Sequence, residues 1–194
     1  MVLVRHGETA WSRADRHTGR SDVPLDPEGA EQAERLRGWL RQWTFAEVLC
    51  SPLQRARRTC EIAGYAAVAR PDREMEEWDY GAYEGLTSAQ IRADHPGWTI
   101  WKDGVAGGET VADVGRRADS VIGRVREVSG DVALFAHGHF LRILAARWCE
   151  LPVLVAERLA FSPAAVSVLG YDRGDPVICL WNETCHLTDV SLAP

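Results

Sequence analysis

The chain has 194 residues, of which 46% are hydrophobic and 26% are charged, a balance typical of one globular domain over residues 1–194. The formal net charge of −6 argues against nucleic acid or an anionic membrane surface as the main partner. The sequence contains no apolar run near the roughly 18 residues that a membrane-spanning helix needs. The five cysteines show no CxxC spacing, so we expect reduced thiols in a cytoplasmic protein.

The first half of the chain alternates between predicted strands and helices. An apolar run at residues 1–4 predicts a short buried strand. Asp26 and Pro27 predict the start of a helix, and apolar residues at helical spacing continue it to about Trp43. A second short strand is predicted at residues 46–50.

The later elements keep the same alternation. Ser51 and Pro52 predict a helix to about Gly64, with Ser51 as its cap. Further strands are predicted at 66–69, 131–136, 165–171 and 176–181, and further helices at 109–128 and 140–149. Because the strands are hydrophobic throughout, we predict an α/β three-layer sandwich, with a mostly parallel sheet and helices on both faces. Residues 75–108 fit this pattern poorly, and we expect them to form an insertion over the active site.

Two predicted strands end in a histidine that is followed by glycine. His6 follows the first strand beside Arg5, and His137 follows the strand at 131–136. Ligands bind at the carboxyl ends of strands in open α/β sheets, so we expect both histidines at one site. Arg55 lies one turn into a helix that starts at the same edge. Because arginine binds phosphate oxygens through two parallel N–H groups, this cluster predicts a phosphoryl ligand.

The histidines are open to three interpretations. His137 and His139 have the look of a metal-ligand pair, but the neighbouring arginines would repel a cation and no carboxylate cluster accompanies them. A second interpretation makes the histidines structural, with their nitrogens satisfied in the core. In the third, an imidazole nitrogen attacks phosphorus while the arginines neutralise the phosphoryl oxygens. The third fits the residues best, and it needs no metal and no other cofactor.

Four motifs in a fixed order carry a resemblance to a known family. They are residues 3–9 (LVRHGET), 51–56 (SPLQRA), 77–85 (EWDYGAYEG) and 137–138 (HG), with 18–19 and 25–29 between the first two. In this order they resemble the histidine phosphatase superfamily, in its phosphoglycerate-mutase-like branch. The resemblance covers nearly the whole chain and implies a phosphoglycerate-mutase-like fold.

The resemblance also implies a role for each matching residue. His6 is then the nucleophile, and Arg5, Arg55 and His137 hold the transferring phosphoryl group. Glu77 is then the proton donor to the leaving oxygen and afterwards the base that activates water. A carboxylic acid donates near neutral pH only where burial or a neighbouring negative charge raises its pKa.

A second set of residues is expected to touch phosphate or substrate. These are Ser12, Thr18, Gly19, Gly138, His139, Arg92 and Lys102. The backbone after Gly138 opens a helix, which is a ready site for an anion. Arg92 and Lys102 are the basic residues expected to recognise a second phosphate. His17, His95 and His186 match no catalytic position, and we expect them at the surface or in packing.

The length and charge of the segment at 86–108 distinguish a predicted phosphatase from a predicted mutase. Cofactor-dependent mutases of the family carry a longer basic insertion there, whereas this chain offers Arg92 and Lys102 alone. Residues 77–85 and 100–110 resemble instead a phosphatase branch with sedoheptulose-bisphosphatase-like enzymes and mycobacterial acid phosphatases. We therefore predict hydrolysis of small phosphomonoesters, with sugar phosphates as the substrates. The alternatives are a cofactor-dependent phosphoglycerate mutase and a family member that binds a phosphorylated ligand without turnover; a homodimer is left open.

Overall fold

The centre of the fold is a six-stranded sheet. A computed structural model of the protein describes residues 1–188, so residues 189–194 of the predicted domain lie outside the described part. The strands are β1 (Val2–Arg5), β2 (Phe45–Cys50), β3 (Ala69–Pro71), β4 (Asp131–Ala136), β5 (Val166–Asp172) and β6 (Asp175–Glu183). They are arranged in the order β3-β2-β4-β1-β5-β6. The first four in this order are parallel, while β5 and β6 continue the sheet as antiparallel strands.

Helices connect the strands and cover the sheet. They are α1 (Ala10–Arg13), α2 (Pro27–Leu40), α3 (Gln54–Cys60), α4 (Ser88–Asp94), α5 (Ile100–Asp103), α6 (Val111–Arg126) and α7 (Gly138–Trp148). A π-helical turn at Glu61–Tyr65 and 3-10 turns at Arg73–Met75, Gly81–Tyr83, Val153–Arg158 and Cys185–Leu187 complete the connections. Within residues 1–188, the helices are all too short or too polar to cross a membrane.

The sheet separates two hydrophobic layers. On one face, Phe135 lies in a cluster with Leu36 of α2, and on the other, Leu134 lies in a cluster with Val121 of α6 and Leu141 of α7. Successive residues of a strand point to opposite faces, so β4 supplies both layers and is apolar and buried after its first residue. The predicted α/β fold, with a mostly parallel sheet between two helical layers, is confirmed.

The connection from α3 to β3 differs from its prediction. The helix expected at 51–64 begins at Gln54 and ends in the π-helical turn, where Gly64 has φ of 102°. Ser51 is not its cap, because the N-cap residue is Leu53, which makes no side-chain cap hydrogen bond. The strand predicted at 66–69 lies instead at Ala69–Pro71, since the chain turns first and only then pairs with β2.

The pairing of three parallel strands brings the functional residues to one edge. In the register of β1 with β4, Arg5 lies opposite Ala136, and the His6 amide donates to the Ala136 carbonyl at 3.0 Å. His137 therefore follows β4 directly beside His6. Ser51 follows β2 on the other side of β4. The carboxyl ends of β1, β4 and β2 thus form one edge with two histidines and a serine.

Residues 75–108 form a packed extension at this edge. Trp78, Ile91, Trp98 and Trp101 are buried in the same cluster as α6 and α7. The tryptophans of this segment are therefore core residues, and they hold its two short helices against the main body of the protein.

Candidate active site

His6 is a neutral imidazole whose Nε2 keeps its lone pair. The ring is 5% exposed, and its Nδ1 lies 2.7 Å from the Gly7 carbonyl oxygen. A carbonyl only accepts hydrogen bonds, so Nδ1 carries the proton and Nε2 is unprotonated. Burial lowers the pKa of His6 well below its usual value, and the charges of Arg55 and Arg5 lower it further.

His137 has both of its ring nitrogens engaged. Its ring centroid lies 5.2 Å from that of His6. Arg55 Nε donates to His137 Nδ1 at 3.1 Å, which leaves Nε2 to donate to Ser51 Oγ at 2.7 Å. Burial, with Arg55 as the strongest nearby charge, lowers the pKa of His137 well below its usual value. Of the two neighbouring imidazoles, His6 is therefore the one with a lone pair available for chemistry.

Arg55 is a fully buried cation that is held by backbone oxygens. Besides its bond to His137, its guanidinium donates to the carbonyls of Thr18, Gly19 and Ser21, each at 2.9 Å. These acceptors compensate the loss of water around the charge. Arg55 and His137 form a layer behind the cavity described below, so their predicted contact with a phosphoryl group stays a prediction.

Glu84 fixes the loop that supports Arg55. One of its carboxylate oxygens accepts from the amides of Gly19 at 2.8 Å and Ser21 at 3.1 Å. The predicted phosphate contact of Gly19 is therefore corrected, because its N–H is already bonded to Glu84. Gly19 acts on the site through its carbonyl, which binds Arg55.

Arg5 points into the cavity from the end of β1. Its Nη1 donates to the Phe161 carbonyl, while its Nε is buried and has no hydrogen-bond partner within residues 1–188. A Cβ on Gly138 would lie 3.3 Å from the Arg5 guanidinium carbon, so the glycine lets the guanidinium lie against the start of α7. Because Arg5 lies in the cavity wall, its guanidinium can bind an anionic ligand there.

Glu77 binds the first turn of α7. Its Oε1 accepts from the amides of Trp78 and Phe140, both at 2.9 Å, and its Oε2 accepts from the amide of His139 at 3.0 Å. The amides of His139 and Phe140 at the start of α7 thus hold the Glu77 carboxylate. The predicted contact of the Gly138 backbone with phosphate stays a prediction.

A cavity of about 560 Å³ opens in front of these residues. Arg5, His6 and Glu77 lie together in its wall, and the wall also includes Gly138 and His139. A nucleophile with a free lone pair, a carboxyl group and a cation therefore face one space. This set can transfer a phosphoryl group to nitrogen and a proton to the leaving oxygen.

Comparison with known proteins identifies the family. The family model described as "Histidine phosphatase superfamily (branch 1)" matches residues 1–184. The chain belongs to this superfamily. It is 40% identical over 190 residues to an acid phosphatase of Mycobacterium tuberculosis, covering 96% of this chain and 93% of that protein. It is 32% identical over 190 residues to the sedoheptulose 1,7-bisphosphatase of Saccharomyces cerevisiae, covering 78% of this chain and 68% of that protein.

A solved structure agrees with this identification. An open reading frame of M. tuberculosis has the same fold, with a TM-score of 0.90 and 39% identity over 94% of this chain and 96% of that one. The predicted family resemblance is confirmed, and the protein is a phosphatase of the histidine phosphatase superfamily. The family implies a small phosphorylated substrate.

The wall of this histidine phosphatase also contains residues that the sequence analysis did not select. Among them are Arg16, His17, Arg142 and Phe161. His17 was expected in packing, and its Nδ1 does lie 2.8 Å from the Leu86 carbonyl, but its ring borders the cavity. The other three lie outside the matching motifs. The spacing of apolar residues along the sequence does not indicate which side chains point into a cavity.

Arg92 and Lys102 are not where the sequence analysis expected them. Within residues 1–188, the cavity wall includes neither of them. Arg92 donates to the Trp98 carbonyl at 2.9 Å, and Lys102 is exposed on α5. The burial of Trp98 and the other apolar residues of this segment sets the rotation of its helices, and the basic residues turn outward as a result. The predicted contact of Arg92 and Lys102 with a second phosphate is therefore corrected. Arg142 is a basic residue that does lie in the wall.

Three other predicted contacts do lie in the wall: Ser12, Thr18 and His139. The Ser12 hydroxyl donates to Glu8 and accepts from the Thr9 amide at 2.8 Å, so it also caps α1. The Tyr80 hydroxyl lies 2.6 Å from His139 Nδ1. Burial lowers the pKa of His139 and raises that of Tyr80, so both are neutral. Their contact with substrate stays a prediction.

We expect the folded state to lose stability as the pH falls from about 7.5 to about 5.5. The pKa values of His6, His137 and His139 are held below the unfolded value, so the unfolded chain takes up protons in this range that the folded chain does not. Each histidine then contributes a loss of up to about 1.4 kcal/mol per pH unit. Urea unfolding at the two pH values measures the difference in the free energy of unfolding.

Two variants assign this pH dependence to the buried histidines. His139→Asn should make the dependence shallower, whereas His95→Gln, which changes an exposed histidine, should leave it as in the wild type. A free energy of unfolding that is the same at both pH values would contradict the assignment.

Proposed function

We propose that the enzyme hydrolyses small phosphomonoesters, sugar phosphates above all, through a phosphohistidine on His6 and without a metal ion. The observation that carries the proposal is the difference between the two neighbouring imidazoles. His6 lies in the cavity wall with an unprotonated Nε2, while both nitrogens of His137 are hydrogen-bonded. An available nitrogen lone pair is what attack on phosphorus requires.

In the first step, His6 Nε2 attacks phosphorus and the bond between phosphorus and the leaving oxygen breaks. Glu77 gives its proton to that oxygen, so the alcohol leaves neutral. Oε1 of Glu77 accepts two amide N–H groups and Oε2 accepts one, so Oε2 is the oxygen with room for the proton. The guanidinium of Arg5, which lies in the cavity wall, binds a phosphoryl oxygen as charge moves onto it.

In the second step, water attacks the phosphorus of the phosphohistidine. The Glu77 carboxylate accepts a proton from this water, the bond between His6 Nε2 and phosphorus breaks, and inorganic phosphate leaves. His6 returns to its neutral form, and Glu77 is protonated for the next cycle.

Two arginines supply the positive charge that other phosphatases obtain from metal ions. Arg5 and Arg55 lie close enough to His6 to lower its pKa. The same field would repel a divalent cation from the His6 lone pair, and Arg55 already occupies Nδ1 of His137. These contacts support a mechanism in which arginine side chains neutralise the phosphoryl oxygens.

The other side of the cavity suits a substrate with a second anionic group. Arg142 lies in the wall and is held in one orientation, because Nε donates to the Ala156 carbonyl and Nη2 to the Glu157 carbonyl, each at 3.0 Å. The Trp101 ring lies 4.8 Å from its guanidinium carbon. Among the hydrogen bonds described for residues 1–188, its remaining N–H groups have no acceptor, so they can bind a carboxylate or a second phosphate. His139 and Tyr80 offer polar groups for sugar hydroxyls.

The part of the chain over the cavity supports hydrolysis over transfer. From residues 86–108, the described wall contains Thr87, Ser88 and Ala89, which are small and uncharged. A mutase has to shield its phosphohistidine from water and hold the intermediate product until transfer. The residues that this segment adds to the wall supply no positive charge to hold that product, so we propose that water reaches the phosphohistidine.

We expect a covalent phosphoenzyme that depends on His6 and survives exhaustive chelation. With a ³²P-labelled phosphomonoester, the wild type should show an acid-labile protein label and His6→Ala should show none, because the nucleophile is gone. His137→Asn should still be labelled, with slower turnover. Loss of activity in chelator that zinc or magnesium restores would contradict the metal-free mechanism.

We expect release of inorganic phosphate to exceed interconversion of 3- and 2-phosphoglycerate. One incubation of the enzyme with 3-phosphoglycerate and bisphosphoglycerate, followed by NMR for both products, measures the two rates together. Faster appearance of the isomer would make the enzyme a mutase. Binding of the phosphate esters without either product would favour a family member that has lost turnover.

We expect Arg142→Met to raise KM for a sugar bisphosphate by about tenfold or more, since a charge-assisted hydrogen bond contributes about 1.5–3 kcal/mol. KM for p-nitrophenyl phosphate, which has no second anion, should change little. Arg92→Met is the matched control, because Arg92 lies outside the wall, and it should change neither value. An equal rise for both substrates with Arg142→Met would overturn the recognition role.

A further inference from the structure

An arginine on α6 holds the backbone that carries Glu77. The side chain of Arg117 is 19% exposed and lies behind the cavity wall. Its Nη1 donates to the carbonyls of Glu74 at 2.6 Å and Glu76 at 2.8 Å, and its Nη2 donates to the Glu77 carbonyl at 3.4 Å. Three carbonyls of one short segment therefore converge on a single guanidinium.

Glu109 completes the environment of Arg117 and extends it past Glu77. Nε and Nη2 of Arg117 donate to the two carboxylate oxygens of Glu109, both at 2.8 Å. Glu109 Oε2 also accepts from the Asp79 amide at 3.0 Å, and its carbonyl accepts from Trp78 Nε1 at 2.8 Å. Every N–H of Arg117 thus has an acceptor, and the pair binds the chain on both sides of Glu77.

We propose that Arg117, together with Glu109, is a positioning residue for proton transfer by Glu77. The inference rests on the proposed function, in which Glu77 is the general acid. Amides of α7 fix the carboxylate from the inside, and Arg117 fixes its backbone from the outside. Arg117 also braces the inner contact, since its guanidinium carbon lies 5.4 Å from the ring centre of Phe140, whose amide donates to Glu77 at 2.9 Å.

The chemistry explains why such bracing matters for one half of the reaction. Proton transfer needs the carboxyl oxygen within hydrogen-bond reach of the leaving oxygen, and a displacement of about 1 Å can cost about 10²-fold in rate. Attack by His6 does not use Glu77. His6 itself is positioned by a different element, β1, which it directly follows. Loosening the backbone of Glu77 therefore affects esters with basic leaving groups and spares those whose leaving group needs no proton.

The test compares kcat/KM for a sugar phosphate with that for 2,4-dinitrophenyl phosphate. Arg117→Met should lower the value for the sugar phosphate by about 10²-fold. For 2,4-dinitrophenyl phosphate it should change the value by less than about threefold, because this leaving group departs as an anion. Arg117→Lys keeps the charge but has no planar fork, so its kcat/KM for the sugar phosphate should lie between the values of Arg117→Met and the wild type.

Arg124→Met is the matched control on the same helix. Arg124 binds the side chains of Asp72 and Glu74 with 47% of its own side chain exposed, and it contacts no backbone carbonyl of the segment among the hydrogen bonds described for residues 1–188. Its replacement removes ion pairs from α6 without removing the clamp on Glu77. The ratio of the two kcat/KM values should therefore stay as in the wild type, and a changed ratio would overturn the assignment to Arg117.

Glu77→Gln in the same series separates this inference from the proposed function. If Glu77→Gln lowers the sugar-phosphate value selectively while Arg117→Met lowers both values equally, the positioning role is overturned and the acid role stands. If Glu77→Gln lowers both equally, the acid role and the positioning role both fail. Should circular dichroism show that Arg117→Met does not fold, Glu109→Gln, which keeps the shape of its side chain, is judged by the same criterion.

Discussion

The parallel pairing of β1 with β4 is the constraint on which the site depends. Arg5 lies opposite Ala136, and the His6 amide donates to the Ala136 carbonyl at 3.0 Å, so the residues after both strands emerge side by side. Because side chains alternate along a strand, a slip of one residue would send Arg5 and His6 to the opposite faces. Close packing of side chains in the layers on both faces of β4 holds this register. The core therefore determines which residues lie at the carboxyl edge of the sheet.

Burial of like charges then decides the protonation states. Two imidazoles and two guanidiniums share a space from which water is largely removed, and arginine keeps its charge in proteins. The histidines therefore stay neutral, and the pKa values of His6 and His137 both lie well below the usual value. The neighbouring hydrogen bonds distinguish the two rings: Nδ1–H of His6 donates to a carbonyl, whereas Nδ1 of His137 accepts from Arg55.

The start of α7 brings Glu77 and His6 to the same edge of the sheet. This helix follows β4 after a single residue, His137, so its free amides lie at the same edge as His6. Those of His139 and Phe140 hold the Glu77 carboxylate, and Arg117 and Glu109 hold the segment that carries Glu77.

The sequence by itself determined the fold class, β4 to the residue, and the motifs that place Arg5, His6 and Glu77 at one cavity, because these features depend on contiguous residues and strand periodicity. Only the tertiary structure decided which imidazole has a free lone pair, that Ser51 serves His137 instead of capping a helix, and which basic side chains reach the cavity. The physical reason is that each of these outcomes depends on contacts between elements distant in the chain. Packing of the apolar residues sets how far each helix is rotated, and no local pattern encodes that rotation.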